Sequence, residues 1–314
     1  MDVIINGLQK ETSRTATFTS KQLFDYGWVE KRILVTGANG QLGNEIRLRQ
    51  SLLSGCKFYF TDIAELDLCD SVAVKEFILH HNIQYVINCA AYTAVDKAED
   101  EEALCWKVNS EAMENIAKAA SGRAKVIHVS TDYVFDGKEN RPYRETDPTC
   151  PQSVYGKSKL SGEQKLVEFC PDSIIIRTAW LYSNFGNNFV KTMIRLGKEK
   201  EALNVVSDQI GTPTFAGDLA DAILQIIGWT EQNQSFPAGI YHYSNEGQCS
   251  WYDFTLKIHE IAGITTCKVS PISTDQYPTK ATRPAYSLLD KTKIKETFGI
   301  TIPAWEESLR ECLK

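Results

Sequence analysis

Tyr155 and Lys159 stand four residues apart in the run Tyr155-Gly156-Lys157-Ser158-Lys159. On a helix, residues at that spacing share one face. A phenol beside an ammonium is suited to proton transfer. Tyrosine ordinarily has a pKa of about 10, and a nearby positive charge favours the phenolate and draws that value down. Such a tyrosine can give a proton to a carbonyl oxygen as hydride arrives at its carbon. Lys159 has a second use, to bond and fix the ribose of a nicotinamide cofactor. A lone Tyr-x-x-x-Lys pair arises often by chance, so its weight comes from what accompanies it. Thr131, in Ser130-Thr131-Asp132-Tyr133, follows the apolar run Val126 to Val129. A hydroxyl at such a strand end can bond the same carbonyl oxygen and orient it.

The second constellation is Thr36-Gly37-Ala38-Asn39-Gly40-Gln41-Leu42-Gly43, a G-x-x-G-x-x-G loop. It follows the apolar run Ile33 to Thr36 and precedes Leu42, Ile46 and Leu53 at roughly helical spacing. Strand before and helix after is the context that a dinucleotide-binding loop requires. One glycine permits the tight turn, one lets a pyrophosphate reach the backbone, and one lets helix pack on strand. The phosphates would sit at the helix N-terminus, where open N–H groups and the dipole favour anions. Gly37, Asn39, Gly40, Gln41, Leu42 and Gly43 are therefore the expected cofactor contacts, and the alternative is a purely structural turn. Asp62 ends the next apolar run, 19 positions after Gly43. An acid there suits the ribose hydroxyls of NADH and repels a 2'-phosphate, although Asp is also an ordinary turn residue. Asp67 and Leu68 are candidates to flank the adenine. Ala90, Ala91 and Tyr92 follow the third strand and either line the middle of the cofactor or simply pack.

These residues need a scaffold, and the hydrophobic pattern supplies one. Strands are expected at Ile33 to Thr36, Phe58 to Thr61, Tyr85 to Asn88, Val126 to Val129 and Ile174 to Ile176. Helices alternate with them at Gly40 to Leu53, Val72 to Leu79, Ala103 to Ala120 and Val154 to Val167. That alternation gives an α/β fold, a Rossmann-type doubly wound parallel sheet with helices on both faces. Residues 32–183 are expected to form mainly this cofactor domain. From about Asn184 the rhythm loosens. Helices are expected at Phe189 to Gly197, Phe215 to Ile227, Trp251 to Ala262 and Trp305 to Leu313, with short strands near Val205 and Tyr241. Thr212-Pro213, Ser270-Pro271 and Arg283-Pro284 read as loops. Residues 184–314 thus form mainly a smaller C-terminal substrate lobe, with the chain free to cross back. Residues 1–31, rich in Thr and Ser and weakly periodic, read as a leader, with only the set Val3-Ile4-Ile5 able to pack.

Composition removes several other classes. The chain has 314 residues, 43% hydrophobic and 24% charged, with a formal net charge of −6. That is enough for a large core plus a smaller lobe. The acidic balance argues against nucleic acid as a partner. No apolar run approaches membrane-spanning length, and no secretory signal is apparent. Nine cysteines occur without a Cys-x-x-Cys pair or a histidine at zinc spacing, so no metal centre is expected. Free thiols of this kind suit a reducing cytoplasm.

With these motifs in order, the chain resembles the extended short-chain dehydrogenase/reductases, and within them the dTDP-4-dehydrorhamnose reductase family. The matching segments run from Arg32 to about Leu313. They include Val35 to Gly43, Asn88 to Glu99, Ser130 to Gly137, Val154 to Leu160, Arg177 to Tyr182, Gly186 to Phe189 and Asp208 to Thr214. The resemblance implies Thr131, Tyr155 and Lys159 as catalytic residues. It implies reduction of the C4 keto group of a dTDP-linked deoxysugar with NADPH or NADH, by a monomer or homodimer. Thr131, Asp132 and Trp180 would touch the sugar nucleotide, and Gln209 would line its pocket. Trp180 offers a flat amphipathic face for a base or sugar, or else serves as a core residue. Arg283 has the fork that suits a diphosphate, and reads equally as a surface arginine. Some members of the family hold magnesium between subunits, and Glu45 and Glu311 are the acids at plausible positions. Three alternatives share the resemblance: a sugar-nucleotide epimerase, a dehydratase, and a non-catalytic subunit similar to the regulatory subunit of methionine adenosyltransferase. The dehydratases carry Asp-Glu after the threonine, where this chain has Asp132-Tyr133.

Overall fold

The computed structural model describes residues 30–314. The expected leader, with its Val3-Ile4-Ile5 set, lies outside the described residues except for Glu30 and Lys31, and Lys31 already opens the first strand. The first half alternates as the apolar pattern requires. It runs β1 (Lys31–Thr36), α1 (Gln41–Arg49), β2 (Cys56–Thr61), α2 (Ser71–His80), β3 (Tyr85–Asn88), α3 (Val95–Ala98), α4 (Glu102–Trp106), α5 (Ala112–Ala120), β4 (Lys125–Thr131), α6 (Val154–Phe169) and β5 (Ser173–Thr178). The second half is more broken. It contains β6 (Leu181–Tyr182), α7 (Phe189–Glu199), β7 (Ala202–Val206), β8 (Ile210–Gly211), β9 (Thr214–Phe215), α8 (Ala216–Asn233), β10 (Gly239–His242), β11 (Cys249–Ser250), α9 (Trp251–Ile261), β12 (Lys268–Ile272), α10 (Thr292–Phe298) and α11 (Trp305–Cys312).

Six strands form one parallel sheet in the order β10-β5-β4-β3-β1-β2. Its central strands read as unbroken apolar runs because both faces are covered. Every residue of β3 and β5 is buried. Ile33 and Val35 of β1 join one core, whose other members include Ile46 of α1, Ile223 of α8 and Phe298 of α10. Leu34, between them, joins the opposite core with Val74 of α2, Ile116 of α5 and Leu166 of α6. The sheet order reverses at β1, with β2 on one side and β3 on the other. Such a switch point opens a crevice at the carboxyl ends of the strands. The glycine loop, Asp62 and Ala90 follow the carboxyl ends of β1, β2 and β3 there, and Thr131 closes β4.

Three features depart from the sequence-based expectations. The helix expected over Ala103 to Ala120 is interrupted by one π turn at Lys107–Glu111. A π turn inserts an extra residue on one side, and here Asn109 is turned inward. The strand near Tyr241 does not belong to the small lobe, because β10 pairs in parallel with β5 and completes the main sheet. Ser270-Pro271, expected in a loop, lies in β12, which pairs in parallel with β7 as a two-stranded ribbon. A proline is tolerated where its missing N–H faces away from the partner strand. The small lobe has its own core, in which Tyr182, Val190, Phe215, Phe254, Trp305 and Leu309 pack together.

Candidate active site

The glycine loop makes one wall of the crevice. Gly37 has φ +62°, in the left-handed region, and a Cβ there would lie 2.7 Å from the backbone of Ala90. A Cβ on Gly43 would lie 2.6 Å from the carbonyl oxygen of Gly37. Both positions are therefore closed to side chains, and the backbone of β1, α1 and the segment after β3 approaches as no other residues allow. The N-cap of α1 is Gly40, with no side-chain cap. The first N–H groups of the helix are thus left for an anion. A cradle of this shape, with an open helix N-terminus at a switch point, fits a dinucleotide diphosphate. Asn39 is exposed at the tip, and its N–H donates to Asp62 Oδ2 at 3.1 Å. Asp62 thus sits against the loop, at the end of β2. Asp67 is exposed and accepts from the N–H of Cys69 at 2.9 Å, and the carbonyl of neighbouring Leu68 accepts from Asn115. Ala90, Ala91 and Tyr92 are half-buried, with the backbone of Ala90 against Gly37. Leu42 is buried in the core, and the Gln41 side chain turns away to accept from Asn188 Nδ2 at 2.9 Å.

Thr131 ends β4, and Tyr155 lies in the first turn of α6. Ser153 caps that helix by accepting from Gly156 N at 3.1 Å. Thr131 Oγ1 donates to Asp132 Oδ1 at 3.0 Å and accepts from Tyr133 N at 3.2 Å. The Tyr155 ring packs edge-on against Tyr133, with centroids 5.5 Å apart. Lys159, one turn further along α6, is 1% exposed, and its Nζ donates to the carbonyl of Val129 at 2.7 Å. Helix α6 is fixed to the sheet by a buried ion pair. Arg177 of β5 reaches Glu163 through two bonds, of 3.0 and 2.6 Å. Asn109, from the π turn, joins α6 to the segment after β3 by donating to Ser158 Oγ at 3.0 Å and accepting from Tyr92 N at 2.9 Å.

Burial governs the electrostatics here. It pushes the Tyr155 phenol well above its usual range, with the Thr131 hydroxyl pulling the other way and Asp132 adding to the rise. The expectation that Lys159 draws this phenol toward neutrality is corrected by the structure. The lysine ammonium faces Val129 and His128, and desolvation of the phenolate dominates. Burial also lowers Lys159 to about 8, opposed by Glu163. It raises Asp132 to about 6, against hydrogen bonds from Thr131 and Ser287. Asp132 Oδ2 makes no hydrogen bond of regular geometry although its residue is buried.

The remaining expected residues come from loops and the small lobe. Trp180 has φ +48°, a strained backbone for so large a side chain. Its indole stacks on Trp251, with centroids 3.5 Å apart. Gln209 is buried and donates to Thr274 Oγ1 at 3.1 Å. Arg283 is already engaged, with Nη2 2.6 Å from Asp96 Oδ2 and Nη1 donating to the Tyr133 hydroxyl at 2.9 Å. Glu45 and Glu311 do not converge in a free acidic pair. The Glu45 oxygens accept from Ser183 and Arg49, each at 2.5 Å, and Glu311 pairs with Lys314 at the surface. Among the described residues, no group of three His, Cys, Asp or Glu side chains is placed to hold a metal ion. Among them, too, no helix is long and apolar enough to cross a membrane.

Sequence reasoning missed several neighbours of these groups. Asn88 and His128 are buried polar residues inside apolar strands, a pattern that by itself signals a required hydrogen bond. Trp251, Tyr133 and Asp96 hold Trp180 and Arg283, and no local signal pairs them.

A family model described as the RmlD substrate binding domain matches residues 31–314. A dTDP-4-dehydrorhamnose reductase of Aggregatibacter actinomycetemcomitans is 42% identical over 287 residues, covering 89% of this chain and 97% of that protein. The chain belongs to this family. The crystal structure of a family member, a dTDP-4-dehydrorhamnose reductase from Clostridium acetobutylicum, is 44% identical, with a TM-score of 0.84 over 90% of this chain and 98% of that one. A family member from Bacillus anthracis, solved in complex with NADP, is 38% identical, with a TM-score of 0.84 over 90% of this chain and 99% of that one.

Proposed function

We propose that this chain reduces the C4 keto group of dTDP-4-dehydro-L-rhamnose with NADPH or NADH, giving dTDP-L-rhamnose for surface-polysaccharide synthesis. The observation that carries this reading is the meeting of two constellations at one sheet edge. The side-chain-free cradle of Gly37 and Gly43 opens beside the buried set of Thr131, Tyr155 and Lys159.

The bound reduced nicotinamide supplies hydride to C4 of the sugar. Tyr155, held as a phenol by burial, gives its proton to the developing alkoxide at O4. Thr131 bonds the same oxygen and orients the carbonyl. Lys159 fixes the nicotinamide ribose. Asp132 turns its Oδ2 toward a sugar hydroxyl. Trp180 offers the face on which the sugar nucleotide rests, and Gln209 borders the same pocket. Arg283 holds the diphosphate by exchanging its bond to Asp96 for phosphate oxygens. Gly37, Asn39, Gly40, Gln41, Leu42 and Gly43 cradle the cofactor diphosphate. Asp62 faces the adenosine ribose, Asp67 and Leu68 the adenine, and Ala90, Ala91 and Tyr92 the middle of the cofactor. The protein works in the cytoplasm as a monomer or homodimer. A dehydratase reading is disfavoured because Tyr133, bonded to Arg283, stands where an acid would be needed.

The test is the loss of NADH or NADPH absorbance, in parallel, with dTDP-4-dehydro-L-rhamnose supplied. Stoichiometric loss with dTDP-L-rhamnose formed supports the reading and ranks the two cofactors. No loss with either cofactor moves the assignment to another 4-keto sugar, and then to a non-catalytic subunit.

A further inference from the structure

Arg283 is caught between two partners of different kinds. Its Nη2 lies 2.6 Å from Asp96 Oδ2 of α3, and its Nη1 donates to the Tyr133 hydroxyl at 2.9 Å. The Tyr133 ring packs in turn edge-on against Tyr155. One arm of the guanidinium fork thus holds a charge and the other a neutral phenol.

The backbone that carries Arg283 is pinned on both sides. Ala281, two residues before, is 1% exposed, and its N–H donates to Asp96 Oδ1 at 3.2 Å. Pro284, the residue after, packs so closely on Gly137 that a Cβ there would lie 2.5 Å from the proline Cβ. Tyr286 N donates to the Gly137 carbonyl at 3.1 Å. With its flanks fixed, Arg283 changes partners by turning its side chain.

Asp96 is placed to let go. Its side chain is 41% exposed, against 26% for Arg283, so water can take the place of the guanidinium. An ion pair this open to solvent is worth little by itself. The carboxylate also keeps the N–H of Ala281 when the pair opens. Among the described residues, Arg283 is the one cation within ion-pair distance of Asp96, and Lys280 pairs with Asp100 instead. A diphosphate brings more charge than a carboxylate and suits the same fork. The carboxylate it displaces stays close by and opposes the incoming anion.

We infer that Asp96 is a positioning residue that competes with the substrate diphosphate for Arg283, and so loosens the hold on substrate and product and speeds product release. The bond to Tyr133 keeps the guanidinium in place during the exchange. This competition rests on the diphosphate role proposed above for Arg283. A salt bridge that only shaped the site would act in the opposite direction, because its loss would leave Arg283 misplaced and weaken anion binding.

The test is calorimetric titration of dTDP into the full chain, with its release followed by stopped flow. Asp96→Asn removes the charge and keeps an acceptor for the Ala281 N–H. It should bind dTDP about fivefold more tightly, the upper range for a half-exposed pair, with the gain in slower release. Asp96→Ser should act in the same direction, which separates the charge from any packing effect of one substitution. Arg283→Gln should weaken binding by about tenfold or more. With Arg283→Gln in place, Asp96→Asn should gain less than about twofold, the remainder of a screened repulsion. Unchanged or weaker binding in both Asp96 variants overturns the competition, and so does an equal gain with and without Arg283. Either result, with Arg283→Gln still weakened, leaves the diphosphate role of Arg283 standing. Full affinity in Arg283→Gln removes that role and the competition with it.

Discussion

The cradle at the ends of β1 and β3 offers backbone N–H groups and space, whereas the wall formed by β4 and α6 offers buried side chains. In the first region, the shape depends on atoms that are absent. A single Cβ on Gly37 or Gly43 would collide with neighbouring backbone. In the second, the polar groups have their protonation set by burial, which raises Tyr155 and Asp132 and lowers Lys159. The difference teaches how each region fails. The cradle fails sterically, at all pH values. The β4–α6 wall fails electrostatically, and its losses depend on pH.

The largest expected effect comes from the wall. Tyr155→Phe removes the proton donor and should lower kcat by about 10²–10⁴-fold. Cofactor affinity, measured by titrating nicotinamide fluorescence, should stay near that of the unaltered protein. Substantial turnover in this variant would move the proton to another group. The next effect comes from the cradle. Gly37→Ala combines a positive φ with a 2.7 Å contact, and should cost roughly 2–4 kcal/mol of stability. Cofactor binding should fall with it. Gly40→Ala, whose Cβ would meet only the Gly37 carbonyl at 3.2 Å, should be milder in urea unfolding. Equal losses would mean that the cradle is not shaped by this contact.

Asp132→Asn should give a smaller change of opposite sign. Burial pushes the folded carboxyl up to about 6, from an ordinary value near 3.8. An acid with a raised folded pKa stabilises the native state at low pH, and loses that contribution as pH rises through the folded value. At pH 7 the buried carboxylate is therefore a burden, and the asparagine variant should be more stable by about 1–3 kcal/mol. The gain should vanish below about pH 4, which unfolding curves at several pH values would show. The smallest effect is expected at the rim of the cradle. Asp62→Ala should shift the NADPH to NADH affinity ratio toward NADPH by about fivefold, the equivalent of about 1 kcal/mol. No shift would place the ribose contact elsewhere.

Much of the sheet was legible in the sequence because its strands are buried on both faces and read as apolar runs. Tyr85 to Asn88 became β3 without change. The glycine loop and the Tyr155–Lys159 spacing were legible because their geometry is local. What could not be read was pairing over distance. Nothing in the chain near Tyr241 says that it joins β5, or that Trp251 stacks on Trp180. The rhythm of the second half loosens because its strands are two to five residues long, too short for a period to be seen. Protonation was misjudged for a related reason. Spacing gave the neighbours of Tyr155, but burial, which dominates its pKa, is a property of the whole fold.

The return of α8 and β10 to the main sheet bears on how such a protein can change over evolutionary time. A cut after residue 183 would leave β5 without its outer neighbour and strip α8 from the core it shares with α1. The smaller lobe is therefore not a cassette that recombination could exchange whole. It is threaded through the six-stranded sheet in separate pieces, on either side of α8 and β10. A new sugar preference has to be reached by substitutions in place, with the Rossmann core retained at every step.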